Sequence, residues 1–307
     1  MKGIKASIFV IFNAVAMAQV SYGEAFTFEL DINTGYNNNV FLESEDLVIN
    51  EEPDESQKND VQTQMAVTAN YEFWDQENSD AAVMVDYFKE RLVENQLDTT
   101  VTSVSLPAHY YSGSYRYGVS FTRQNYNLSG VDVLSYQTSK IGVAKNLGND
   151  KLYVSLNNTN KISKDESYEQ YEGRSRALSA KYKSMLGTTG KQAISLQANL
   201  FNNDYQGEGL SNTGGFIKAV YEWNFGRHFN SVGAKFKRTQ YELDTLTNDE
   251  RLDRQVSANY HYEYYLSSNT QLYLDAGYTN NQSNIEYDDE NYNYDQWVSS
   301  LGARFVF

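Results

Sequence analysis

The chain ends with Gly302-Ala303-Arg304-Phe305-Val306-Phe307, where apolar residues alternate with small or polar ones. Read backwards, one set of alternate positions carries Phe307, Phe305, Ala303, Leu301, Ser299 and Trp297, and the other carries Val306, Arg304, Gly302, Ser300, Val298 and Gln296. Alternate side chains of a β-strand point to opposite faces. One face of this strand is therefore largely apolar, with an aromatic residue at each end, as in a strand that crosses a bilayer within a barrel.

The terminal residue, Phe307, points in the same direction. A phenylalanine that closes such a strand resembles the C-terminal signature of Gram-negative outer-membrane proteins. The resemblance implies a location in the outer membrane of a Gram-negative bacterium. It also implies two sets of partners, which are outer-membrane lipid with lipopolysaccharide, and the barrel-assembly machinery acting through the C-terminal strand.

The N-terminus predicts a secretory signal peptide over residues 1–23. Lys2 and Lys5 form a basic segment, and an apolar stretch follows over residues 6–20. Cleavage is expected between residues 18 and 25, which leaves 24–307 as a single domain. The alternative is an N-terminal membrane anchor, but the apolar stretch is shorter than the roughly 18 residues that a spanning helix needs.

Composition excludes several classes of function. The chain has no cysteine, so it contains neither disulfides nor thiolate metal sites, and we predict no cofactor. A net charge of −15 disfavours nucleic acid as a partner. Twenty-six tyrosines against two prolines favour strands over helices. The mean hydropathy of −0.62 is compatible with a barrel because half of each spanning strand faces a polar lumen.

From Phe26 onward, one pattern of alternating strand and connection repeats along the chain. Short turns alternate with longer, mostly acidic connections, as periplasmic turns and outer loops do. A soluble all-β protein would need its apolar faces to meet in a shared core. We therefore predict an all-β fold, a transmembrane antiparallel up-and-down β-barrel of about fourteen strands, with a bulge or break at Pro107. The predicted spans are 25–36, 61–74, 81–90, 99–110, 114–125, 133–146, 150–161, 173–185, 191–203, 214–225, 230–241, 253–266, 270–280 and 294–307.

The first strand ends in Thr34-Gly35-Tyr36-Asn37-Asn38-Asn39-Val40-Phe41. This stretch resembles the opening motif of a family of outer-membrane β-barrel porins associated with exopolysaccharide or capsule biosynthesis and export. The resemblance implies a channel role with a polysaccharide or oligosaccharide as partner. The same residues also suit a tight exit from a strand, because asparagine is favoured where φ is positive.

Strand parity, anchored on the apolar faces, predicts which charged side chains line the lumen. The acidic set lies on predicted strands 1–3 and 12–13, and the basic set lies on the middle strands. This arrangement either orients polar solutes across the pore or merely solvates a wet lumen. The predicted lumen and substrate-path residues are Glu29, Asp31, Glu72, Asp86, Arg116, Arg176, Lys218, Lys235, Lys237, His261, Glu263, Asp275 and Arg304, with Lys181 and Lys183 dependent on register.

The connection over residues 37–60 is the other candidate for a functional segment. Between Glu43 and Asp60 it contains eight acidic residues and one basic residue, Lys58. It is predicted either to be a solvated loop, to bind divalent cations that bridge to lipopolysaccharide phosphates, or to fold inward as a gate or plug. No loop has the spacing of a defined calcium motif.

We predict no enzymatic activity, because none of the three histidines lies near the outer rim with a suitable serine or aspartate motif. Two functions stay open from the sequence. The first is an outer-membrane channel for carbohydrate, which exports an exopolysaccharide or passes oligosaccharides. The alternative is a non-transport surface barrel whose acidic loops mediate adhesion or envelope assembly.

Overall fold

The structure is a computed structural model that describes residues 26–38, 59–93, 95–187, 191–207, 209–243, 250–284, 286–287, 290–291 and 293–307. The predicted signal peptide over residues 1–23 lies outside these ranges. Fourteen antiparallel strands form one closed barrel, which confirms the predicted fold class. Each predicted strand boundary lies within three residues of the observed one.

The strands of the barrel are connected in simple up-and-down order. They are β1 (Phe26–Asn37), β2 (Asp60–Gln76), β3 (Ser79–Leu92), β4 (Asp98–Ser112), β5 (Tyr115–Leu128), β6 (Val131–Leu147), β7 (Asp150–Ser163), β8 (Gly173–Leu186), β9 (Gln192–Tyr205), β10 (Asn212–Phe225), β11 (His228–Leu243), β12 (Glu250–Tyr265), β13 (Thr270–Ser283) and β16 (Tyr294–Val306). Two short strands, β14 (Glu286–Tyr287) and β15 (Glu290–Asn291), pair with each other outside the barrel. A 3-10 helix spans Glu166–Tyr171. Among the described residues, no helix is long and apolar enough to cross a membrane.

The first and last strands close the barrel. β1 pairs with β16 from Glu29 opposite Val306 to Asn37 opposite Val298. The backbone N–H of Phe28 donates to the carbonyl of Phe307 over 3.1 Å, and the N–H of Phe307 donates back over 2.8 Å. The chain terminus is therefore paired within the ladder, and neither edge of the sheet is left open.

Contacts between strands that are not neighbours identify the lumen face. Arg304 on β16 reaches Glu263 on β12 across β13, with 3.3 Å between Nη1 and Oε1. Lys183 on β8 reaches Glu222 on β10 across β9, with 2.5 Å between Nζ and Oε2. Only the concave face brings such side chains together.

The opposite, outward face is apolar and exposed. Its large side chains would lie against lipid acyl chains, as the alternation in the sequence predicts. They include Val85, Leu106, Val119, Ile141, Leu156, Leu178, Leu200, Ile217, Phe236, Val256, Leu272 and Leu301.

Pro107 interrupts the ladder as predicted. Ala81 pairs with Ala108 and Met84 pairs with Ser105, while the two intervening positions on each strand are not paired. Proline has no N–H to donate, so the β3–β4 ladder cannot be continuous at this point.

A lysine substitution tests the assignment of the two faces. Val85 is outward and 46% exposed, whereas its neighbour Met84 faces inward, opposite Ser105 and two residues from Asp86. Val85→Lys is expected to lower the free energy of unfolding by about 2–4 kcal/mol, because it places a charge in hydrocarbon. Met84→Lys should change it by less than about 1 kcal/mol. Urea titration of the protein in lipid vesicles measures both, and equal losses would contradict the assignment.

Candidate functional site: a lumen with two charged walls

Strand pairing places twelve of the thirteen predicted substrate-path residues on the lumen face. They are Glu29, Asp31, Glu72, Asp86, Arg116, Lys218, Lys235, Lys237, His261, Glu263, Asp275 and Arg304. Lys181 and Lys183, which the sequence left dependent on register, also face inward, opposite Tyr153 and Lys151.

The prediction for Arg176 was wrong. Arg176 pairs with Asn158 and Asn202 and shares its face of β8 with Leu178, which is 43% exposed to the outside. The side chains of a strand alternate, so a position of the same parity as Leu178 cannot line the lumen. Arg176 stands on the outer surface of the barrel near the extracellular end of β8.

Arg304 is the centre of a cluster at the closure of the barrel. Its Nε lies 3.1 Å from Glu29 Oε1 and 3.2 Å from Asp31 Oδ2, and its Nη1 lies 3.3 Å from Glu263 Oε1. The guanidinium also lies over the ring of Tyr273, 5.6 Å from its centroid. One cation therefore connects carboxylates from β1 and β12 and partly neutralises them.

His261 extends this cluster along β12 and β13. Its Nδ1 lies 2.6 Å from Asp275 Oδ1, and its Nε2 lies 2.9 Å from Glu263 Oε1. Tyr265 donates from its hydroxyl to the other oxygen of Glu263 over 2.9 Å. The histidine is thus held between two carboxylates in a network that lines the wall.

A small residue makes room for the aromatic member of the cluster. The Tyr273 hydroxyl donates to Asp31 and accepts from Asn33 Nδ2 over 3.1 Å. A Cβ at Gly302, which is opposite Tyr273 on β16, would collide with the Tyr273 ring and with Asn33. This close approach could not be predicted from the sequence, because it depends on the register between β13 and β16.

The acidic wall continues on β3, where neutral donors satisfy the carboxylates. Asp86 accepts from Thr68 Oγ1 over 2.9 Å, and Glu90 accepts from Gln64 Nε2 over 2.6 Å. Neutral donors leave the negative charge of a carboxylate in place. This side of the lumen, formed by β12, β13, β16, β1, β2 and β3, is therefore predominantly acidic.

The basic wall lies on β5–β8, β10 and β11. It includes Arg116, Lys140, Lys151, Lys181, Lys183, Lys218, Lys235 and Lys237, and Lys161 of β7 also faces inward. A cavity of about 520 Å³ at the periplasmic half is lined by the first five of these together with His109 and Tyr153. Lys151, Lys181 and Lys218 make no ion pair or side-chain hydrogen bond with any described residue.

The two walls face each other across the barrel. Acidic side chains on the strands around the closure are opposite basic side chains on the middle strands. Opposed charges lining a low-dielectric wall produce a strong local field. The predicted transverse arrangement of charge is therefore present in the structure.

An extracellular connection narrows the outer mouth. The 3-10 helix begins after Asp165, whose Oδ1 accepts from the N–H of Ser167 over 2.9 Å. It places Tyr171 against Leu134 and Tyr136, with Leu210 beside them. Burial raises the pKa of the Tyr171 hydroxyl, so this group stays neutral.

We name Leu134, Tyr136, Tyr171 and Leu210 the mouth cluster. Three of its members, Tyr136, Tyr171 and Leu210, line a second cavity of about 560 Å³. Its lining includes Tyr171 and Leu210 together with Phe201, Phe216 and Lys237 of the barrel wall. The sequence analysis left an inward-folding gate over the connection 37–60 as one of three possibilities, and residues 39–58 of that connection lie outside the described ranges. The mouth cluster was missed because it depends on contacts between residues more than thirty positions apart.

The role of Arg304 in stability is tested by removing its charge. Arg304→Gln leaves three clustered carboxylates without their cation and should lower the free energy of unfolding by about 1–3 kcal/mol. Adding Glu29→Gln to this variant should restore part of the loss, because one like charge is removed. Lys218→Gln is the control, since Lys218 pairs with none of the described residues, and it should change stability by less than about 0.5 kcal/mol. An equal loss of unfolding free energy in Arg304→Gln and Lys218→Gln would contradict a stabilising role for Arg304.

Comparison with known proteins finds similarity in fold only. No family model matches the chain, and no curated protein matches it in sequence. In-vitro folded OmpT, an outer membrane protein of Vibrio cholerae, superposes with a TM-score of 0.54 at 9% identity, over 94% of this chain and 99% of that one. An anion-selective porin from Comamonas acidovorans gives 0.51 at 9% identity, over 92% and 98%. OccAB3 from Acinetobacter baumannii gives 0.50 at 9% identity, over 92% and 99%. The closed barrel, its apolar outer face and these neighbours together show that the chain has the fold of an outer-membrane β-barrel protein.

Proposed function

We propose that the protein is an outer-membrane channel for carbohydrate, and that its solutes carry negative charge. The observation that carries this proposal is the basic wall, in which Lys151, Lys181 and Lys218 have no partner among the described residues. Unpaired cations opposite an acidic wall attract anionic groups to one side of the lumen and orient them. A barrel that only needed a wet interior would be stabilised by pairing these charges.

We propose carbohydrate as the solute because aromatic rings lie beside the lysines of the lumen. Tyr153 lies in the periplasmic cavity, with Lys140 5.3 Å from its ring centroid. Phe201 and Phe216 line the upper cavity beside Lys237 and Lys235 respectively. Flat apolar rings next to cationic groups suit sugar rings that carry carboxylates.

The direction of transport is proposed from the motif at residues 34–41. Its resemblance to barrels of exopolysaccharide loci favours export of an acidic exopolysaccharide, and passage of acidic oligosaccharides requires the same lumen chemistry. The similarity to the anion-selective porin of Comamonas acidovorans is one of fold, and it supports the channel proposal by analogy only. The alternative, a non-transport barrel with adhesive acidic loops, depends largely on residues outside the described ranges.

Ion selectivity in planar bilayers tests the channel. The purified protein should conduct, and replacing Lys140, Lys181 and Lys218 by glutamine should shift the reversal potential in a KCl gradient toward cation selectivity. The matched variant Glu72→Gln/Asp86→Asn/Glu90→Gln should shift it the opposite way, because the net charge of the lumen changes in the opposite sense. A protein that never conducts would exclude the channel and leave the surface-barrel alternative.

Block of the ion current tests the class of solute. A uronic-acid oligosaccharide added to one side should interrupt single-channel current, and a neutral oligosaccharide of equal length should do so at least tenfold more weakly. The Lys140, Lys181 and Lys218 variant should remove most of this difference. Equal block by the two sugars would contradict the proposed preference for acidic carbohydrate while leaving the channel intact.

A further inference from the structure

Five arginines stand on the outward face of the barrel near its extracellular end. We name them the arginine girdle, and they are Arg123, Arg174, Arg176, Arg238 and Arg254. We propose that the girdle binds the phosphate groups of a phosphorylated glycolipid in the outer leaflet. This inference concerns the surface that faces lipid and is independent of what passes through the lumen.

The outward face of each girdle strand changes from apolar to basic toward the extracellular end. On the outward face, Arg123 follows Phe121 on β5, and Arg238 follows Phe236 on β11. The outward face of β8 shows the same order when followed from the periplasmic end, with Leu178 before Arg176. The basic residues thus begin where the apolar band ends.

Strand length fixes the depth of the girdle. A tilted strand crosses the hydrocarbon core in about 9–11 residues. Counting from the short-turn ends of the strands, Arg123 is eight residues from Tyr115, and Arg176 is ten from Leu186. These positions lie close to the outer boundary of the hydrocarbon, near the depth of the phosphates of an outer-leaflet lipid.

Most of the girdle has no anionic partner in the part of the chain that the structure describes. Arg123, Arg176, Arg238 and Arg254 are exposed and make no ion pair or side-chain hydrogen bond with a described residue. Arg174 donates to Asn160 Oδ1 over 3.2 Å and lies opposite Asp204 on β9.

Other outward cations at this level are neutralised within the chain. On β3, Lys89 and Arg91 lie 3.1 Å and 3.8 Å from Asp98. The girdle arginines are therefore distinct from the paired bases of the same rim.

Two girdle arginines lie directly opposite each other, which favours an anion that offers two or more oxygens. Arg238 and Arg254 are direct cross-strand partners between β11 and β12, which brings two like charges together. Like charges opposite each other destabilise a strand pair unless an anion lies between them. Guanidinium groups bind phosphate in a bidentate manner, so one phosphate shared by this pair offsets the repulsion.

Charge complementarity and position together select the occupant. Acyl chains would cover the apolar band around Phe236, Val256 and Leu178, and phosphates one polar layer higher would meet the girdle. A diphosphorylated glycolipid matches both surfaces, whereas a free phosphate ion would gain nothing from the apolar band. The arrangement of the two surfaces therefore favours a lipid over a soluble anion.

Lipid binding to the purified protein in neutral detergent tests the proposal. The probe is diphosphorylated lipid A, and native mass spectrometry measures its affinity for the protein. The girdle variant is Arg176→Gln/Arg238→Gln/Arg254→Gln. Affinity should fall at least tenfold. The control Lys140→Gln/Lys181→Gln/Lys218→Gln removes the same charge from the lumen face and should bind lipid A as the unaltered protein does.

A second probe keeps the test informative if the girdle variant does not fold. The unaltered protein should bind diphosphorylated lipid A at least tenfold more tightly than lipid A from which both phosphates have been removed. Equal affinity for the two lipids would overturn the proposal, as would unchanged affinity in a folded girdle variant. The reversal potential of the girdle variant should remain that of the unaltered protein, so failure of this proposal and failure of the channel are distinguishable.

Discussion

Closure of the sheet between β1 and β16 is the constraint on which the other features depend. An unpaired N–H or C=O in hydrocarbon costs several kcal/mol, so a sheet that spans a bilayer must have no open edge. The mutual backbone hydrogen bonds of Phe28 and Phe307 carry the pairing to the last residue of the chain. Once the edge strands are paired in one register, the side chains of all the strands are assigned either to lipid or to the lumen.

That register also determines the electrostatics of the lumen. It aligns Asp31 with Arg304 across the closure and brings Glu263 within reach from β12. The acidic wall is therefore partly neutralised where the barrel closes. On the opposite side, the basic wall keeps lysines such as Lys181 and Lys218 that pair with no described residue. The paired charges that stabilise the barrel therefore lie on the acidic wall, and the charges proposed to attract solutes lie on the basic wall. The outward girdle follows from the same alternation, because its arginines occupy the lipid-side positions above the apolar band.

The sequence predicted the features that depend on local alternation. Strand number, strand boundaries and the break at Pro107 all follow from period-two patterns and from the chemistry of proline. Arg176 was assigned wrongly because an arginine above the apolar band has the same polarity as a lumen residue. The outward face of β8 offers only Leu178, Ala180, Tyr182 and Leu186 as non-polar or aromatic positions to fix the parity. The mouth cluster depends on long-range packing that alternation does not encode.

Cysteine scanning of β8 tests the assignment of lipid and lumen faces most directly, because the chain contains no cysteine of its own. Single cysteines at residues 176–183 would carry nitroxide labels in protein reconstituted into vesicles. Labels at 177, 179, 181 and 183 are predicted to be accessible to a water-soluble relaxation agent, and labels at 178, 180 and 182 to oxygen dissolved in the lipid. A label at 176 should lie at the lipid boundary. Reversed parity, or equal access at all positions, would contradict the two-faced barrel from which the channel and the girdle are inferred.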